Sequence, residues 1–569
     1  MNYLLVLMSV LSLLLSSDVF AQTFQWVSRI GGPSFDPSPH IPDELINDIA
    51  TDAQGNVYAC GRVRNNSDIN GQSIDAVGGN DILLAKFDCS GNLIWSKVAG
   101  NIDDGDNGIS LALDGLGHIY LTGEILGGSS LYPINFFDSI INNIPGVHGM
   151  FLAKLDTSGN LIWGKLGESV SDGGRKLVID LNGKVNVLFF TSQGMLFPGI
   201  PVQEGHYITR FDVDGNVEKL TFIDGTPFCV ITDFKIDTDY NYYIIGDFGF
   251  DTVFVAGSTI LRSGPLNTTE FFCLKSDSSG MAQWIIHVGS QYLNASHGHG
   301  LTFDLSGNLL LTGAAFNGLV LGTDTLQNSL SSSTGSDFPF VAKLTPQGQV
   351  LWARNGHTQL ISRPQGGIAV RDNGNSVISG SILGTAIFGS DTITTTNGPV
   401  LFVAEYDGNG NYVRSSQVPT TTGGYNAELR RTICDLNDNI LFAGAFDGNL
   451  TVNGNLVVYH GGYTDGLIIK WGNGLCSVGI DDDLGSSRGE VRVYPNPARE
   501  YIHFRFNQNP VSKATVDVYD VMGKVVRSVS TTLHTEEVTV DVQGLSPGIY
   551  SYSIRTSEMN YSGKFIVMD

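Results

Sequence analysis

Seven aspartates close a short apolar run just ahead of a turn: Asp52, Asp114, Asp180, Asp237, Asp304, Asp372 and Asp435, at spacings of 62, 66, 57, 67, 68 and 63 residues. Carboxylates repeated this way could form a ring for a hard cation such as Ca²⁺, which takes about 6–8 oxygens within about 2.6 Å. Equivalent turns on separate repeat units lie too far apart in space to share one ion. Each Asp also has a local duty, accepting backbone N–H bonds from the residues ahead of it. The series therefore reads as one turn cap per repeat.

Other residues could do chemistry. "NIDDGDNG" clusters Asp103, Asp104 and Asp106 but lacks the distal Glu of a twelve-residue Ca²⁺ loop. Ca²⁺ is the metal this loop could hold; otherwise a solvated acidic loop is expected, and no cofactor is called for. His297 and His299 in "SHGHG" supply half a zinc site, in a segment expected to be a loop ahead of a strand. Lys86, Lys154, Lys275, Lys343 and Lys470 recur with Arg210, while Glu405 stands in the sixth copy. That exchange argues against a shared anion site and for a solvated strand position. There is no G-x-S-x-G, H-E-x-x-H or phosphate-binding loop motif. Carboxylate pairs for glycoside hydrolysis leave no sequential trace, because their spacing is spatial.

The elements that position these residues are strands. Gly follows the turn Asp at Gly55, Gly117, Gly183, Gly307 and Gly374, and the next apolar run ends at Gly61, Gly123, Gly246, Gly313, Gly380 and Gly444. The first set suits a positive-φ turn position, and the second lets neighbouring backbones approach. A second hairpin follows in each copy, as in "ILLAKFDCSGNLIW" and "FLAKLDTSGNLIW", with Trp95, Trp163, Trp284 and Trp352 as packing residues. Each copy thus supplies four antiparallel strands, too few to bury both faces alone; radial stacking buries them, which is a β-propeller. The seventh copy stops at "GLIIKWGNG", while the chain near its start reads "TFQWVSRIGG". The fold predicted is all-β: a seven-bladed β-propeller closed by the N-terminal strand, which completes the last blade.

Composition agrees. Seventy glycines in 569 residues, without a three-residue period, suit turns. A net charge of −24 repels nucleic acid and anionic lipid. Residues 1–21 read as a signal peptide cut before Gln22, with no Cys at the cut, and no later run is long enough to span a membrane. Six cysteines permit disulfides: Cys60 with Cys89 and Cys229 with Cys273 would pair within repeats, and free buried thiols are the alternative.

The GN-x-Y…TG and AK-x-D…GN-x-x-W pattern resembles the SBBP-type β-propeller repeats of bacterial exported proteins, over residues 22–475. Residues 476–490 read as a linker. From 491 to 569 the repeat is gone, and alternating strands between Pro and Gly turns suggest a small Ig-like sandwich. This tail resembles the type A C-terminal sorting domain of the type IX (Por) secretion system of Bacteroidetes. The matching residues are Tyr494, Pro495, Asn496 and Pro497, then Gly523 and Lys524, then Pro547, Gly548 and Tyr550, and finally Lys564. The resemblance implies Sec export, recognition by the type IX machinery, and release or linkage to surface lipopolysaccharide. Asp-Ser/Thr-apolar triplets resemble the O-glycosylation sequon of such exported proteins, which makes Ser139, Thr252, Thr325 and Thr392 glycan candidates; the competing reading is a turn in a small extra hairpin.

The function expected is that of a non-enzymatic binding or scaffolding module for a glycan or protein ligand at the cell surface or in the medium. The alternatives are a polysaccharide-active enzyme with carboxylates on the propeller face, and a structural matrix component.

Overall fold

The computed structural model describes residues 23–32, 44–76, 79–100, 105–126, 134–137, 139–141, 148–167, 170–197, 199–224, 229–249, 252–261, 269–288, 296–316, 318–330, 336–363, 365–395, 398–419, 424, 426–473, 491–494, 498–506, 513–520, 524–532, 537–555 and 560–567. The chain divides into two units, Met1–Ser477 and Val478–Asp569. Both are all-β, with no helix among the described residues.

The first unit is built from seven antiparallel sheets, here I to VII, each with a four-stranded path. Sheet I runs Leu45–Thr51, Val57–Val63, Asp81–Phe87 and Leu93–Ala99, and sheet II Asn107–Leu113, His118–Leu126, His148–Asp156 and Leu161–Leu166. Sheet III runs Val170–Ile179, Val185–Met195, Gly205–Phe211 and Val217–Asp224; sheet IV runs Cys229–Ile236, Tyr242–Phe248, Glu270–Ser276 and Ala282–Val288. Sheet V runs His297–Phe303, Leu309–Ala315, Phe338–Leu344 and Val350–Asn355. In sheet VI the first position is shared by Ile361–Arg363 and Ile368–Val370, followed by Ser376–Leu383, Val400–Tyr406 and Tyr412–Val418. Sheet VII takes Ala427–Cys434, Ile440–Phe446 and Asp465–Gly472 from the end of the unit, and its fourth strand, Thr23–Gly31, from the beginning.

The first strand of each sheet packs against the first strand of the next, and that of sheet VII packs against that of sheet I. Seven apolar clusters follow the same order, each between two consecutive sheets. Leu301, Leu309 and Phe340 of sheet V meet Tyr243, Ile245 and Phe271 of sheet IV; Ile46, Ile49 and Val57 of sheet I meet Leu441 and Ile468 of sheet VII, with Ile30. No sheet has to bury both faces by itself.

Two local devices recur. The turn Asp receives two backbone N–H groups on one oxygen, as Asp304 does from Ser306 and Asn308 (both 2.8 Å), and the Asn308 amide on the other. The next glycine of the turn has positive φ, +78° at Gly307. The second device is a register shift in the first strand, between Ile46 and Asp48 in sheet I and between Gly298 and Gly300 in sheet V. There a carbonyl lies over the second strand: a Cβ on Gly61 would sit 1.9 Å from the Leu45 oxygen, and one on Gly313 2.0 Å from the His297 oxygen. Only glycine fits.

Three sequence expectations are corrected. In sheet VI the turn opens at Arg371, not Asp372: Arg371 N–H donates to the Asn375 carbonyl and Gly374 N–H to the Arg371 carbonyl, both at 2.9 Å. The Lys series and Glu405 are not solvated; Lys470 and Glu405 have side chains with no exposure. All but one instead pair with the turn residue of their own sheet: Lys343 meets Asp304 at 2.8 Å, Lys470 meets Asp435 at 3.0 Å, and Arg210 meets Asp180 at 2.8 Å, while Lys154 lies over the Tyr120 ring, 5.2 Å from its centroid. In sheet VI the signs are reversed, with Arg371 against Glu405 at 3.4 Å. Finally, the cysteines do not pair within repeats. Cys60, Cys229 and Cys273 are free and buried, Cys434 is free, and Cys89 is in a disulfide.

The second unit has two sheets, Val491–Tyr494, Tyr501–Phe506 and Glu537–Asp541 in one, and Val525–Thr532, Lys513–Tyr519, Gly548–Arg555 and Asn560–Val567 in the other. Ile502, Phe504, Val516, Val540, Ile554 and Phe565 form its core.

Candidate functional site

The first strands bring together residues no local pattern announces. Asp48 of sheet I, Ser110 of sheet II, Lys176 of sheet III and Arg431 of sheet VII each stand four places before the turn residue of their strand. Asp48 is buried; one oxygen takes Ser110 Oγ at 2.6 Å and Lys176 Nζ at 3.0 Å, and Arg431 Nε lies 2.9 Å from the other. Burial alone would raise the Asp48 carboxyl, but Lys176 and Arg431 outweigh it, and it lies below its usual range. Asp233 of sheet IV occupies the same place, with Lys235 at 3.9 Å. Burial pushes Lys235 down to about 8, against the pull of Asp233 and with help from Arg431 and Lys176. Contacts that join sheets I, III and VII at one point tie the first strands together. A signal was present in the sequence: polar residues recur four before the turn, where a strand packed on both faces would carry apolar ones.

The sequence-predicted sites fall differently. Asp103 and Asp104 lie outside the described residues. Asp106 is not in a solvated loop: it is buried, its N–H bound to the Asn80 carbonyl at 3.1 Å. His297 and His299 are not in a loop but open the first strand of sheet V. The register shift between Gly298 and Gly300 brings their rings to 6.2 Å. His297 meets Asp247 at 3.2 Å, and burial, with His297 and Arg430 nearby, pushes His299 down to about 3. No group of three or more His, Cys, Asp or Glu able to hold a metal occurs among the described residues.

The Ser/Thr candidates sit in small hairpins between the second and third strands. Thr325 and Thr392 are the second residues of the second strand of theirs, directly after Asp324 and Asp391, and both are exposed. Those two aspartates do equivalent work. Asp324 accepts the Ala353 N–H (2.8 Å) and Asp391 the Ser415 N–H (3.3 Å), each the residue after the one facing the turn partner. Ser139, exposed, begins its strand one place earlier in register, and Thr252 lies on a first strand, so the four triplets do not superimpose.

A cleft of about 510 Å³ opens between the outer parts of sheets V and VI, lined by Asp324, Arg354, His357, Tyr406, Asn411 and Tyr412, among others.

In the tail, Tyr494 donates its hydroxyl to Glu537, Lys524 N–H donates to Asp520 at 3.0 Å, and Tyr550 donates to the Ser546 carbonyl at 2.8 Å while stacking on Phe565. Gly548 and Lys564 lie on the paired strands that end the chain, Pro547 directly precedes them, and Pro495, Asn496, Pro497 and Gly523 lie outside the described residues.

Residues 492–568 match the family model of the secretion system C-terminal sorting domain. The chain is therefore cargo of the type IX secretion system, exported to the cell surface or the medium. No curated protein matches it. Solved structures similar to it include a fungal alcohol oxidase of the AA5 family in complex with copper, 13% identical, with a TM-score of 0.39 over 93% of this chain and 98% of the other. An ulvan lyase of family PL25 is 12% identical with the same TM-score, over 75% and 97%, and a puromycin hydrolase is 11% identical at 0.37, over 84% and 61%. At these scores the activities of those proteins carry no argument here. No helix among the described residues is long and apolar enough to cross a membrane.

Proposed function

We propose that residues 22–475 form a seven-bladed β-propeller of the SBBP-repeat type, closed by the strand Thr23–Gly31. It follows a signal peptide at 1–21 and is joined through residues 476–490 to the sorting domain at 491–569. Supporting the ring are seven four-stranded sheets with seven apolar clusters, the last joining sheet VII to sheet I. The propeller acts as a non-enzymatic binding or scaffolding module outside the cell. The observation that carries this reading is that the repeated carboxylates have structural duties. Asp237 and Asp304 hold turn N–H groups and a lysine, and these bonds outweigh burial to keep their carboxyls below the usual range. A general acid would need the opposite shift.

One observation favours an enzyme instead: Lys235, held near 8 beside Asp233, could exchange a proton near neutral pH. The two readings part in native gels cast with different polysaccharides, run with and without Ca²⁺. Retardation of the secreted protein with the polymer intact supports the binding module. Cleared polymer supports the enzyme, and its loss in Lys235→Met would place the chemistry in the first-strand cluster.

A further inference from the structure

A repeat protein supplies its own controls, because each sheet shows what the fold requires at a given position. At the end of the third strand and its partner on the fourth, the sheets pair Phe87 with Leu93, Leu155 with Leu161, Phe211 with Val217, Ser276 with Ala282, Leu344 with Val350 and Trp471 with Phe24. Sheet VI pairs Tyr406 with Tyr412. The fold accepts aliphatic and phenyl side chains there, so two phenol hydroxyls at this position are not a packing requirement.

Both tyrosines line the cleft between sheets V and VI. Tyr406 is buried, and its hydroxyl has no hydrogen-bond partner among the described residues. Such a group is costly unless something completes it. Tyr412, in edge contact with Tyr406, is anchored by its hydroxyl to Asp391 and Ser415. Gly389 makes room for it, since a Cβ there would sit 2.2 Å from the ring. On the facing wall Arg354, where sheets I and II carry Lys97 and Lys165, is 3.4 Å from Asp324, and its Nε donates to the Gly410 carbonyl at 3.1 Å.

We infer that this cleft is a binding subsite for a neutral sugar residue of an extracellular polysaccharide. The volume lies in the range of small-molecule sites, about 300–1,000 Å³. Its walls combine aromatic rings with amide, guanidinium and carboxylate groups, which suit a ligand bearing both C–H faces and hydroxyls. Asp324 and Arg354 neutralise each other, and a chain of net charge −24 repels polyanions. The inference rests on the binding-module reading and deepens it.

The test uses the full secreted protein and three variants that copy sibling sheets and so keep the fold: Tyr406→Phe, Tyr412→Leu and Arg354→Lys. Retention is measured in gels containing laminarin, dextran, galactan or mannan, with alginate as the polyanion. The expected result is retention by a neutral polymer, weakened about tenfold by Tyr406→Phe, the loss of one buried hydrogen bond, with melting temperature unchanged or raised. Neutral-polymer retention that all three variants preserve overturns the subsite but leaves the binding module standing. Retention by alginate alone overturns the neutral-sugar assignment. Retention by none of the polymers overturns the subsite, and the binding-module reading then depends on a protein ligand.

Discussion

Trp26, on the strand nearest the amino terminus, donates its indole N–H to the Cys89 carbonyl of sheet I at 3.0 Å and covers Gly91, where a Cβ would lie 2.6 Å from the ring. The same latch joins Trp95 to Thr157 and Gly159, Trp163 to Val213 and Gly215, Trp284 to Pro346 and Gly348, and Trp352 to Gly408 and Gly410. Each outer Trp thus sits on the outer turn of the next sheet, and Trp26 performs that step from sheet VII to sheet I.

The latch makes a quantitative prediction. Gly91 and Gly307 both have positive φ, +84° and +78°, but a Cβ on Gly307 meets nothing within 4 Å. Gly307→Ala carries only the backbone strain, whereas Gly91→Ala also displaces Trp26. Gly91→Ala should therefore cost about 1–2 kcal/mol more than Gly307→Ala, read as a larger fall in thermal midpoint.

The reversed pair of sheet VI can be turned back. Glu405 also receives Asn375 at 2.7 Å and Arg414 at 2.8 Å, so Glu405→Lys alone should cost about 3–5 kcal/mol by leaving buried like charges together. Arg371→Asp with Glu405→Lys rebuilds the arrangement of the other sheets. A double-mutant cycle in urea should show a favourable coupling of about 1–3 kcal/mol.

Asp465 sets a pH dependence. Burial pushes it up to about 7, against the His460 N–H at 3.0 Å and Arg29 at 3.5 Å. Between its ordinary 3.8 and about 7 the folded state holds a proton that the unfolded chain has released. Stability attributable to this group therefore falls as pH rises through that window and is unaffected by it below 3.8. At about 1.4 kcal/mol per pKa unit the full effect is on the order of 4 kcal/mol. Chemical denaturation at pH 4.5 and 7.5 should show a smaller fall for Asp465→Asn than for the parent protein.

Cysteine mapping gives a fourth check. Four of the six thiols are free and Cys89 is bonded. Non-reducing peptide mapping should recover Cys89 only in a disulfide-linked peptide and alkylate Cys60, Cys229, Cys273 and Cys434 after unfolding; a bonded Cys60 or Cys273 would contradict this.

What the sequence revealed followed from how local each signal is. The Asp turn caps, the positive-φ glycines and the close-approach glycines act within a few residues, so their pattern repeats visibly. Asp372 misled because it follows Arg371 directly and mimics the series one place late; the turn's backbone hydrogen bonds and the pairing of Arg371 with Glu405 show which residue opens it. The Asp48, Lys176 and Arg431 cluster draws on three sheets separated by more than a hundred residues. No window of sequence contains it. The cleft at Tyr406 and Tyr412 is intermediate: the residues stand six apart, yet their departure from the pattern becomes readable only once the registers align the sheets.

The central claim is a ring of seven four-stranded blades closed by the N-terminal strand, since every interface and the cleft depend on it. An electron-density map of the secreted protein tests this most directly. The account predicts seven blades, with Thr23–Gly31 beside Asp465–Gly472 and the Trp26 indole over Gly91. A map with six or eight blades, or with the N-terminal strand paired elsewhere, would contradict it.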